Sequence, residues 1–162
     1  MTNYFNRLEP TELALSSKVY EVSYSFSQTG NETDYFQIKT GAKTPMIIAL
    51  EVSTSAEPLK VTVLEAPTMT NGTTAVTAYN MRRPSANTST TTFFSDPTFT
   101  SGGTAVNIHL VTAGKGGGAI TAEAGIWVLK ASTNYLLKVE QLTNQATTNC
   151  INIVFAEDYP SA

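Results

Sequence analysis

The sequence predicts an all-β fold, an antiparallel β-sandwich of jelly-roll type with an extended N-terminal arm. Three observations predict it. Apolar residues recur with period two rather than 3.6 over most of the chain. Turn signals separate nine or ten such segments at spacings of about 8–15 residues. The 162 residues include 26 Thr, 13 Ser and 11 Asn, while only 14% are charged. Thr is stiff at χ1 and prefers a pleated surface, so a strand can show Thr to solvent where other chains use Lys or Glu.

In chain order, residues 1–16 come first and do not alternate. They carry Tyr4, Phe5, Leu8, Leu13 and Leu15, and are expected to form the arm. A short helical turn is conceivable only over Glu9 to Ser16, with Pro10 near its start. One β-sandwich domain is expected over 17–162. Val22, Tyr24 and Phe26 alternate with serines. Met46 to Leu50 is apolar throughout and reads as a central strand covered on both faces. Leu59, Val61 and Val63 alternate with Lys60 and Thr62. Thr88 to Phe94 reads as a strand displaying Thr to solvent. Val106, Ile108 and Leu110 are expected to face the core, with Asn107 and His109 on the polar side. Ile126 to Leu129 reads as a second central strand. Tyr135, Leu137 and Val139, then Ile151, Ile153 and Phe155, supply the last two core faces. The turns fall at Thr29-Gly30-Asn31, Asn71-Gly72, Asp96-Pro97, Ser101-Gly102-Gly103 and Gly114 to Gly118, among others.

Composition excludes several classes. Hydrophobic residues make up 41% and the net charge is -3, a combination unlike that of disordered chains. No run of 18 apolar residues occurs, so no transmembrane helix is expected. The first ten residues lack an apolar h-region, so no secretory signal is expected. Ten scattered basic residues do not form a nucleic-acid footprint. The single Cys150 has no disulfide partner within the chain and reads as a reduced thiol in or near a core strand.

Catalytic parts are scarce. His109 is the only histidine; a general base is one reading, and a solvated strand residue is the plainer one. No Gly-x-Ser-x-Gly elbow accompanies it. One His and one Cys do not make a zinc site, and no metal or cofactor is expected. Glu51, Glu65, Glu123 and Glu140 flank strands, but carboxylates that flank strands pair by chance as readily as by design. Lys115 within Gly114 to Gly118 lacks the spacing and the helix of a phosphate loop. Arg82-Arg83 is the only basic pair. It reads equally as a contact for an acidic partner and as a holder of loop backbone. Trp127 reads as core or subunit interface before it reads as a sugar platform.

Four stretches carry a resemblance: Glu21 to Phe26, Tyr79 to Thr88, Phe94 to Thr104 and Trp127 to Lys138. The last is the most specific, a Trp-x-Leu-Lys strand, a polar turn, then Tyr-Leu-Leu. They resemble small all-β virion proteins of tailed bacteriophages, the capsid decoration or cement proteins. The resemblance implies a jelly-roll-like trimer on the outer surface of the phage head, bound to the major capsid protein, without catalytic residues, nucleic acid or membrane. Under it, Tyr4, Phe5, Arg7, Leu8, Arg82 and Arg83 are the candidate capsid or inter-protomer contacts. Trp127 and Leu129 are the candidate trimer interface. Phage tail and head-fibre proteins share the style. A receptor- or carbohydrate-binding role through Tyr79 and Phe99 is therefore the alternative expectation.

Overall fold

The computed structural model describes residues 16–112, 118–122 and 127–157. The arm residues Tyr4, Phe5, Arg7 and Leu8, the glycine-rich loop with Lys115, and Glu123 lie outside them. Every regular element described is a strand: β1 (Val19–Thr29), β2 (Thr33–Lys39), β3 (Met46–Thr54), β4 (Leu59–Glu65), β5 (Thr68–Thr70), β6 (Thr74–Val76), β7 (Tyr79–Asn80), β8 (Thr92–Ser95), β9 (Thr98–Ser101), β10 (Thr104–Val111), β11 (Gly118–Ala122), β12 (Trp127–Val128), β13 (Asn134–Gln141) and β14 (Ala146–Ala156). One sheet runs β11-β3-β14-β1-β7, with β12 also on β3. The facing sheet runs β10-β4-β13-β2-β8-β6. All the pairings are antiparallel. The chain repeatedly changes sheet: β1 and β2, β3 and β4, β10 and β11, and β13 and β14 each put one strand in either layer. The antiparallel all-β sandwich expected from period-two alternation is therefore present.

The core lies between the layers. Val22, Leu50, Val52, Ile151, Ile153 and Phe155 of one sheet meet Phe36, Ile38, Leu59, Val61, Val63, Leu137 and Val139 of the other. Tyr24 and Phe26 pack at its margin. The apolar run from Met46 to Leu50 lacks alternation because Ile48 is skipped in the β14–β3 ladder. Val154 pairs with Ala49 and Phe155 with Ile47. The bulge turns both Ile47 and Leu50 toward the core. Met46, with Val19 and Ala156, goes to a small apolar cluster on the outer face.

One end of the interlayer space is polar. The buried Gln28 amide donates to the Val139 carbonyl at 3.0 Å and accepts from Asn149 Nδ2 at 2.8 Å. Thr54 and Thr147 join hydroxyls at 2.9 Å in the same layer. Such a network is stable inside because its donors and acceptors satisfy one another. A two-stranded ribbon of β5 and β9 lies over the outer face of the β4–β13–β2 sheet, where Phe99 packs on Tyr35 with ring centroids 5.6 Å apart.

Three expectations change. The described part of the stretch from Ile126, Trp127 to Leu129, does not form a central strand. It holds a two-residue strand, Trp127–Val128, paired among the described residues to β3 alone. The Thr-rich stretch becomes strand only from Thr92; Ser89, Thr90 and Thr91 are irregular, and Thr91 is buried. The third change concerns β10 and shapes the surface described next.

Candidate functional site

In the β10–β4 ladder, Thr104 faces Glu65 and Ala105 faces Leu64, but the next pair is Asn107 with Val63. Val106 is the extra residue of a β-bulge. An unbroken ladder would have set Val106, Ile108 and Leu110 beside Val63, Val61 and Leu59, on the core face. The bulge displaces the register by one, which exchanges the two faces. Ile108 now pairs with Thr62 and Leu110 with Lys60, on the outside, while His109 pairs with Val61. Val106, Ile108 and Leu110 are 46%, 57% and 61% exposed. This overturns the expected phase: the aliphatic row faces outward and His109 faces inward, half-buried, with Nε2 lacking any hydrogen-bond partner. No signal in the sequence marks this bulge, because neither Gly nor Pro stands at it.

β10 ends its sheet, and nothing charged lies between Thr104 and Val111. Natural edge strands are blunted by Lys, Pro or shortness. β10 has eight residues and none of those charges.

At the far side of the molecule, β7 ends the other sheet. It carries exposed Tyr79 and is followed by exposed Met81 and the Arg82-Arg83 pair. Ser17 fastens this segment. Its carbonyl accepts from Asn80 Nδ2 at 2.9 Å and Asn87 Nδ2 at 3.4 Å, and its hydroxyl accepts from Arg82 Nη1 at 3.2 Å. The Met81 N–H donates to the Val19 carbonyl at 2.9 Å. The Arg83 guanidinium stands 5.0 Å from the Tyr79 ring centre. Arg82 thus contacts the loop's base and Arg83 covers the aromatic ring.

The same loop is held at its other end by Glu157, a residue that sequence reasoning did not single out. Its buried carboxylate accepts from the N–H groups of Thr91 at 2.7 Å and Thr90 at 2.9 Å, and from the Ser89 hydroxyl at 2.9 Å. Burial raises its pKa, but these donors outweigh burial and hold it below the ordinary carboxylate value.

The remaining candidates are dispersed. Glu65 accepts from Lys130 Nζ at 2.6 Å and from the Tyr135 hydroxyl at 2.9 Å, and both bonds lower its pKa. Glu140 is paired with Lys138 at 2.7 Å and Lys60 at 3.6 Å. Tyr135–Glu65 and Lys60–Glu140 tie β13 to β4, while Lys138 and Glu140 are neighbours on β13 itself. Asp34 is pushed up by burial, against the Gln28 amide and with Glu32 and Asp96 adding to the rise. Among the described residues no group of three His, Cys, Asp or Glu is arranged to hold a metal ion. Leu129 is 5% exposed and lines the core, and the half-buried Trp127 packs against that core. The residue this segment turns outward is Val128. Phe99 is half-buried on Tyr35, while Tyr79 is exposed.

Comparison with protein-family models, with curated proteins and with solved structures found no match.

Proposed function

We propose that this chain is a capsid decoration protein of a tailed bacteriophage, which binds the major capsid protein of the assembled head as a homotrimer and stabilises it. The observation that carries the reading is the strand order. The order β1-β14-β3-β11 stacked on β2-β13-β4-β10 supports a jelly-roll reading, two interlocked Greek keys. The lateral edges of that sandwich carry exposed apolar groups suited to protein contact. The reading assigns no catalytic residue, metal or cofactor.

Such a protein works by mass action. It binds the expanded shell and not its precursor, and so shifts the balance toward the expanded state. A trimer meets several capsid subunits at once; after the first contact the others are intramolecular, and avidity supplies the affinity. The test is co-sedimentation of purified protein with expanded and unexpanded capsids. Saturable binding to the expanded form alone is expected. Absence of binding to either form would overturn the reading.

The exposed Tyr79 under Arg83 favours one other reading, a tail or head-fibre protein that binds receptor carbohydrate. Glycan binding lost on Tyr79→Ala, with no capsid binding, would select it.

A further inference from the structure

We propose that Asn71-Gly72 is a latent self-modification site, which Gln37 holds unreacted while the β5–β6 loop is seated. The inference goes beyond the capsid reading and does not depend on it.

The chemistry begins with the sequence. Asn71 is the one asparagine of the chain that glycine follows. An asparagine side chain and the next backbone nitrogen can close a succinimide ring when nothing crowds that nitrogen, and glycine has no Cβ to crowd it. The Gly72 nitrogen gives its proton to solvent and bonds to Asn71 Cγ. The Cγ–Nδ2 bond breaks, and the amide leaves as ammonia, taking a proton back from water. Water then opens the ring at either carbonyl, giving aspartate or isoaspartate. Asn71 is exposed to that water. Nor does the packing allow another residue in place of glycine. A Cβ at position 72 would lie 2.1 Å from the Ser95 carbonyl oxygen and 2.8 Å from Phe94 Cβ.

Gln37 restrains this reactive pair. Phe36 and Ile38 belong to the core, so Gln37 between them faces the outside of its sheet, yet it is fully buried. Its Oε1 accepts from the Gly72 N–H at 3.1 Å, and its Nε2 donates to Asn71 Oδ1 at 2.9 Å and to Asn134 Oδ1 at 3.0 Å. Nucleophile and electrophile are thus tied to the two ends of one planar amide. The Gly72 proton is engaged by a neutral buried acceptor, which disfavours its loss. The Asn71 carbonyl is kept from turning over the nitrogen. A turned Gln37 amide would set its own N–H groups against the Gly72 N–H, and Asn134 on β13 fixes it from the other side. The reaction therefore requires the loop to open first. It runs one way, because isoaspartate lengthens the main chain by a methylene and the two bonds to Gln37 no longer form together. That loosens the link between β5 in the outer ribbon and β6 in the sheet.

The test incubates the full chain at mildly alkaline pH and counts aspartate and isoaspartate at position 71 by peptide mass spectrometry. Folded wild type is expected to convert about tenfold or more slowly than the same chain unfolded in urea, the factor set by two hydrogen bonds between neutral groups. Gln37→Met keeps the volume, removes both bonds and is expected to raise the folded rate about tenfold. Ile153→Val lowers stability from the facing sheet and is expected to leave the rate near that of wild type. Should Gln37→Met not fold, wild type alone decides. Gly72 N–H exchange and Asn71 conversion are expected to rise by the same factor as urea is added below the unfolding transition. Four results would each overturn the inference. Wild type converts as fast folded as unfolded, Gln37→Met is no faster than wild type, Ile153→Val is as fast as Gln37→Met, or the Gly72 N–H exchanges like that of an unfolded chain.

Discussion

Ile108 stands opposite Thr62, not opposite Val61, because Val106 is looped out of the ladder that joins β10 to β4. One inserted residue thus decides which side of an eight-residue strand meets water. It also places His109 beside Val61, with a buried nitrogen that bonds to nothing.

Replacing His109 with Val should therefore stabilise the domain. The substitution removes an unsatisfied buried polar atom and fills the same inward position with a side chain matching Val61. A gain of about 1 kcal/mol is expected, read as a rise of about 2–4 °C in melting temperature. An unchanged or lower melting temperature would mean that the imidazole has a favourable partner.

Glu157 gives a prediction with a definite pH sign. Its folded pKa lies below its ordinary 4.5, so its contribution is present above about that pH and is lost as pH falls through the folded value. Glu157→Gln should cost about 1.5–3 kcal/mol at neutral pH, since hydrogen bonds to a charged acceptor are the strong ones. Thermal melts at stepped pH should converge for the two proteins in acid. Parallel curves down to pH 3 would refute the assignment.

Asp34 has the opposite sign. Its folded pKa is raised, chiefly by burial, so it costs no stability below its ordinary 3.8, and the cost grows as pH rises from there through the folded value. Asp34→Asn should raise the melting temperature at neutral pH, and the advantage should shrink as pH falls and wild-type Asp34 becomes protonated. Chemical denaturation at neutral and acidic pH measures both halves of this statement.

Gly72 tests how the outer ribbon is anchored. Its N–H donates to Gln37 Oε1 at 3.1 Å, and a Cβ there would come within 2.1 Å of the Ser95 carbonyl oxygen. Gly72→Ala must push the loop off β8, at a cost of about 1–3 kcal/mol. Hydrogen exchange should then quicken around Gly72 and Ser95 before it does so in β14.

What the sequence made legible follows from its period. Leu59, Val61 and Val63 lie with Tyr135, Leu137 and Val139 in the unbroken β4–β13 ladder, and alternation alone assigned their faces correctly. It failed wherever a ladder skips a residue. The bulges at Ile48 and Val106 are decided by pairing with a distant strand, which local pattern does not encode. The role of Glu157 was hidden for a related reason. Its partners lie more than sixty residues earlier, in a stretch whose threonines look like ordinary strand. Trp127 was read as core or subunit interface; it packs against the core, with Leu129 buried in it and Val128 left outside.

The place of β14 bears on how the molecule is made. This strand lies between β1 and β3, two strands that come off the ribosome more than ninety residues before it. Until it arrives, the central slot of that sheet stays open, and two facing strand edges stand unpaired around it. Val22, Leu50 and Val52 have no Ile151 or Ile153 to close over them. Glu157 follows at once and draws the Ser89–Thr91 loop down onto the finished end. The domain therefore closes only once β14 has been made, and a chain cut short before β14 leaves the ribosome with an open, sticky sheet.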